Sequence, residues 1–86
     1  MIEIIDFSIR WKEELVAKTQ FGSLIFEFTM GENHVYFPSK ELWINNCPDW
    51  AKDKWETYYD ACNRWCKSKH NPISIAENTF FYSETI

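Results

Sequence analysis

Glycine and proline are scarce, two and three in 86 residues, and this argues against a disordered chain. No stretch approaches 18 consecutive apolar residues, which excludes a membrane-spanning helix. The opening MIEIIDFSIRW carries acids where a signal peptide needs bases, so the chain reads as cytoplasmic. Three cysteines are an odd number in a chain without a secretion signal; a disulfide framework is not expected and the thiols should be reduced. Positive charge is also short, 9 Lys and Arg against 13 Asp and Glu, a net charge of −4. Such a field repels phosphate backbones, which argues against nucleic acid and favours a basic protein as partner. There is no glycine-rich phosphate loop, Cys-x-x-Cys pair, HExxH or nucleophile elbow. No catalytic residue, cofactor or metal ligand is therefore singled out, and an enzyme is not expected.

What the chain has is aromatic area. Five Trp, four Tyr and seven Phe make up 19% of it, which suits one small domain, residues 1–86, that buries only about 60–65% of its extended surface. Ile5, Phe7, Ile9 and Trp11 alternate with polar residues, the period of a half-buried strand over residues 3–11. KEELVAKTQ, residues 12–20, is ambiguous between a helical turn and a hairpin loop. From Ser23 to Met30 the alternation returns, with Leu24, Phe26, Phe28 and Met30 inward. Gly31-Glu32-Asn33 then supplies a turn into His34-Val35-Tyr36-Phe37, a hairpin in which Gly or Asn takes any positive φ. Pro38 ends strand pairing, and Ser39 caps a short helical segment through Trp43.

The main helix is expected from about 49 to 70, ending before Asn71-Pro72. Its apolar stripe holds Ala51, Trp55, Tyr58, Tyr59, Cys62, Trp65 and Cys66. Short β-rich runs at 73–75 and 79–82 follow. The expected class is α+β, an antiparallel sheet of about four to five strands with one long amphipathic helix on one face. The other face then has surplus aromatics, for example Tyr36 and Phe81; either the sheet is strongly curled or that face binds something.

Within CNRWCKSKH, residues 62–70, two thiols and an imidazole recur at intervals of four. Positions eight apart on a helix are about 12 Å apart along its axis, too far for Cys62 and His70 to share one ion. Cys62 with Cys66, or Cys66 with His70, makes a half-site that Cys47 or His34 would have to complete. The simpler reading is that Cys62 and Cys66 fill gaps between larger rings of the stripe. On the opposite face of the same wheel Asp49, Asp53, Glu56 and Asp60 fall between about 140° and 200°, an acidic stripe. It either complements the helix dipole or docks a basic partner.

Thr19, Phe21 and Gly22, then Phe26-Glu27-Phe28, Tyr36-Phe37-Pro38-Ser39 with Trp43, Pro48-Asp49-Trp50-Ala51 and Trp65 together resemble small bacterial immunity proteins. These accompany polymorphic toxins of the contact-dependent inhibition and Maf types, and the resemblance spans residues 19–66. It implies a cytoplasmic, non-enzymatic protein that binds and neutralises a cognate toxin domain, often a nuclease. No family residue carries over, because the toxin-binding surface is the variable part of such families. On the sequence, the expected contacts are Asp49, Asp53, Glu56 and Asp60, with Tyr36 or Trp43 as exposed aromatic anchors. Two alternatives stay open: a small metal or redox protein using Cys47, Cys62, Cys66 and His34, and a homodimer through the leftover sheet face.

Overall fold

The structure, a computed structural model, describes residues 5–10 and 13–84. Four strands come first: β1 (Asp6–Arg10), β2 (Glu14–Lys18), β3 (Ser23–Thr29) and β4 (His34–Pro38). Two helices follow, α1 (Lys40–Asn46) and α2 (Trp55–Ser68), separated by a 3-10 turn at Asp49–Ala51; β5 (Ile73–Ala76) and β6 (Phe81–Glu84) close the chain. The α+β class is as expected, but the sheet has six strands and is mixed. β1, β2, β3 and β4 pair antiparallel in sequence order. β5 lies parallel to β4, because the crossover through α1, the 3-10 turn and α2 returns the chain to the end of the sheet where β4 began. β6 then pairs antiparallel with Ser23–Phe26 of β3, while β4 occupies Glu27–Thr29 on that same edge.

Within the ambiguous KEELVAKTQ, Glu14–Lys18 is strand β2, with Leu15 and Ala17 in the core, and Lys12 lies outside the described residues. Of the residues assigned inward on the first strand, Phe7 packs on Trp65 at 5.9 Å and Ile9, on an edge strand, is 46% exposed; Trp11 lies outside the described residues. Met30 is 51% exposed, since it begins the turn beyond the last paired residue Thr29. That turn uses both of its expected residues, Gly31 at φ 98° and Asn33 at φ 53°. Ser39 caps α1, its Oγ accepting from the Leu42 N–H at 3.3 Å.

The long helix from 49 to 70 is not formed as one piece: α2 has 14 residues. The break has a specific cause. In a continuous helix the Ala51 carbonyl would accept from Trp55; here it accepts the Trp43 indole N–H at 2.8 Å and the Lys54 N–H at 3.0 Å. The Trp55 indole in turn donates to the Pro38 carbonyl at 2.9 Å. The apolar stripe survives: Ala51, Tyr58, Cys62 and Cys66 are buried, and Trp55, Tyr59 and Trp65 pack against them.

Trp43 is the centre of the core. It is fully buried and stacks on Phe81 at 4.8 Å and Phe37 at 5.5 Å, with Tyr58 at 5.8 Å. Phe81, assigned to the surplus face from sequence, pairs with Phe26 and is also in this core. The core therefore sits between one face of the sheet and the two helices.

At the C-terminus of α2 the chain turns through His70, at φ 59°. The His70 N–H reaches the Lys67 carbonyl at 3.2 Å and the Asn71 N–H the Cys66 carbonyl at 2.8 Å, the paired bonds of a left-handed helix stop. His70 is exposed and serves this turn. A residue with a Cβ is strained there, so His70→Gly is expected to stabilise the fold by about 0.5–1 kcal/mol. On a domain of this size thermal unfolding would show it as a rise of roughly 3–8 °C.

Candidate functional site: the open face of the sheet

Alternation along the strands puts Leu24, Phe26 and Phe28 toward the helices and Ser23, Ile25, Glu27 and Thr29 on the other face. The register extends that open face across the sheet, to Asp6 and Arg10 on β1, Glu14 and Lys18 on β2, His34 and Tyr36 on β4, and Tyr82 and Glu84 on β6. β1 and β6 stand three strand spacings apart, about 14 Å in a flat sheet, and the register offsets Arg10 from Glu84 along the strands as well. Yet the Arg10 guanidinium meets both Glu84 carboxylate oxygens at 2.7 and 2.8 Å. The sheet is thus coiled around its open face. That concavity buries Ile25 completely and Val16 almost completely although no helix covers them.

A polar lattice closes over these two side chains. Arg10 Nε donates to Glu14 at 2.9 Å, and the Tyr82 hydroxyl, arriving from β6, donates to the other Glu14 oxygen. Glu14 is held below the usual carboxylate range by Tyr82 and then by Arg10, and Glu84 is lowered by Arg10. The hydrogen bond to Glu14 raises the Tyr82 phenol, and Glu84 with Glu14 raises the Arg10 guanidinium. The signs set a pH window. Lowered carboxylates stabilise the fold above the ordinary glutamate range, about 4.3, and that contribution is lost as pH falls through their lowered values. The raised Tyr82 acts oppositely, its contribution present below about pH 10 and lost above. Urea midpoints are expected to fall below about pH 4.5, and Arg10→Met should flatten that fall. The groups are partly exposed, so the effect should also shrink in high salt.

Further along the face, Glu27 accepts from the Thr79 hydroxyl at 2.7 Å and lies directly opposite Glu14 on β2 and Tyr36 on β4. His34 stacks on Tyr36 with ring centroids 4.5 Å apart, and its Nε2 is 2.7 Å from the Ser74 hydroxyl.

The residues expected to make contacts from sequence divide sharply. Trp43 is no anchor, since it is fully buried; an aromatic in a short helix can point either way, and here α1 lies on the sheet. Tyr36 is half-buried on the open face. The acidic stripe is broken, because Asp49 belongs to the 3-10 turn, Asp53 to the following turn, and only Glu56 and Asp60 to α2. All four are exposed. Their charge is partly compensated, with Lys52 at 3.6 Å from Asp49 and Lys40 at 3.5 Å from Glu56. Asp53 and Glu56 line a shallow groove of about 160 Å³ that Lys40 and Lys52 also line.

Charge is the decisive contrast. Residues 39–72, which carry both helices, have six Lys and Arg and five Asp and Glu; the remainder of the chain has three and eight. The helical layer is thus near neutral at +1; among the described residues outside it, Arg10 and Lys18 stand against Asp6, Glu13, Glu14, Glu27, Glu32, Glu77 and Glu84, a balance of −5. Sequence reasoning missed Arg10, Glu14 and Glu84 because only the register brings them together.

Cys62 and Cys66 are buried in the core and hydrogen-bonded to each other, which with burial pushes the Cys62 thiol up. Desolvation also raises Cys47, which is half-buried outside α2. Among the described residues no three His, Cys, Asp or Glu side chains gather as a metal set would, and no helix is long and apolar enough to cross a membrane. No protein-family model matches the chain, and neither a curated protein nor a solved structure matches it.

Proposed function

We propose that this chain is an immunity protein, which binds and neutralises a cognate basic toxin domain, a nuclease being the class that best fits. The observation that carries the reading is a concave sheet face on which four carboxylates, Asp6, Glu14, Glu27 and Glu84, outnumber the two bases Arg10 and Lys18, with Tyr36 and Tyr82 held among them. Carboxylate arrays steer a basic partner into encounter and select it, while tyrosines supply contact area at low entropic cost. The proposed contact surface is centred on Glu27, Tyr36 and Tyr82, with Glu14 and Glu84, both paired to Arg10, at its edge. Blocking is steric and electrostatic, and needs no catalytic group.

The test is co-expression with the protein encoded beside this chain, which on this proposal is expected to be a basic toxin domain. The expected result is a stoichiometric complex, loss of that protein's toxicity to the host cell, and association that slows steeply between about 50 and 500 mM salt. A neighbour that is neither bound nor neutralised would refute the assignment.

A further inference from the structure

The open face holds one carboxylate whose surroundings differ from the rest. Arg10 serves Glu84 and Glu14, whereas Glu27 is half-buried and makes no ion pair among the described residues. One of its oxygens is taken by Thr79. Tyr36 borders it as the direct cross-strand neighbour on β4. Tyr82, which pairs with Ile25, crosses β3 to reach Glu14, the residue opposite Glu27 on β2. Glu27 thus has Tyr36 as its neighbour across the strand pair and Tyr82 passing over β3 beside it. Both rings are tethered, Tyr36 by its stack on the Ser74-bonded His34 and Tyr82 by Glu14.

We propose that Glu27, between Tyr36 and Tyr82, is a receptor for a single arginine side chain of the basic partner. The inference rests on the open face being the docking surface. A guanidinium is planar, so its edge can pair with the Glu27 carboxylate while its faces lie against the tyrosine rings. A lysine ammonium meets the carboxylate but has no plane to stack. Because the rings are already held, little side-chain freedom is lost on binding. The slot therefore selects arginine over lysine at equal charge.

The experiment titrates isotope-labelled protein with capped hexa-arginine and hexa-lysine peptides, followed by NMR. The arginine peptide should bind roughly tenfold tighter and shift the resonances of Glu27, Tyr36 and Tyr82 first. Glu27→Gln, whose amide oxygen still accepts from Thr79, and Tyr36→Leu should each abolish the preference; Asp53→Asn should leave it intact. Equal binding of both peptides, shifts centred on Asp53 and Asp60, or a preference that survives Glu27→Gln would overturn the slot. The two readings fail separately. A partner complex indifferent to Glu27→Gln removes the arginine slot alone, and an intact arginine preference without any neutralised partner removes the immunity assignment alone.

Discussion

Replacing Trp43 with alanine is expected to lower the unfolding free energy by about 3–5 kcal/mol, most of the stability available to a domain this small. The indole is fully buried and stacks on Phe81, Phe37 and Tyr58, so truncation leaves a cavity that flat rings cannot close. It also removes the donor to the Ala51 carbonyl, the bond that sets where α2 begins. Trp43→Phe separates the two effects, since it keeps a ring and loses the N–H; a cost of about 1–3 kcal/mol is expected. Urea unfolding followed by far-UV circular dichroism measures both. If Trp43→Ala were as stable as the parent chain and only partner binding suffered, Trp43 would be a surface anchor after all, contrary to its burial.

The proposed docking on the open face gives the other large expected effect. Asp6→Lys with Glu27→Lys reverses two charges on the open face, and Asp53→Lys with Asp60→Lys reverses two on the helical side. Both doubles carry the same net charge, so a difference between them reports place and not total charge. If the proposed complex forms on the open face, the open-face double should weaken it by roughly 100-fold, through slower association and faster release. The helical-side double should stay within about threefold of the parent, because that layer is near neutral already. The reverse ranking would return the contact to Asp49, Asp53, Glu56 and Asp60. Thermal unfolding of each double, measured alongside, separates a lost contact from a lost fold.

Much of the architecture was legible because local chemistry and tertiary packing agree. The alternation of Leu24, Phe26 and Phe28 defines β3 and its core face; Gly31 and Asn33 make the turn; Ser39 caps α1; and the stripe from Ala51 to Cys66 meets the sheet. The spacing of CNRWCKSKH resolves in the same way, with Cys62 and Cys66 in the core and His70 in the helix stop. Periodicity reads these features well because each follows from a few neighbouring residues.

Other features belong to the tertiary structure, and each has a long-range cause. Glu14–Lys18, within KEELVAKTQ, is a strand that β1 and β3 flank and pair. The helix starts at Trp55 because an indole eight residues earlier in the chain than Ala51 takes the carbonyl that a longer helix would need. Arg10 and Glu84, 74 positions apart, meet only when the sheet coils. The charge total of −4 was readable from composition, but its place was not: a helical wheel ranked the acids near α2 highest, without the lysines that fold against them. The sequence alone determines an acidic, aromatic-rich α+β domain. Coiling of the sheet, which sequence periodicity cannot express, decides that Arg10, Glu14, Tyr82 and Glu84 meet over one concave face.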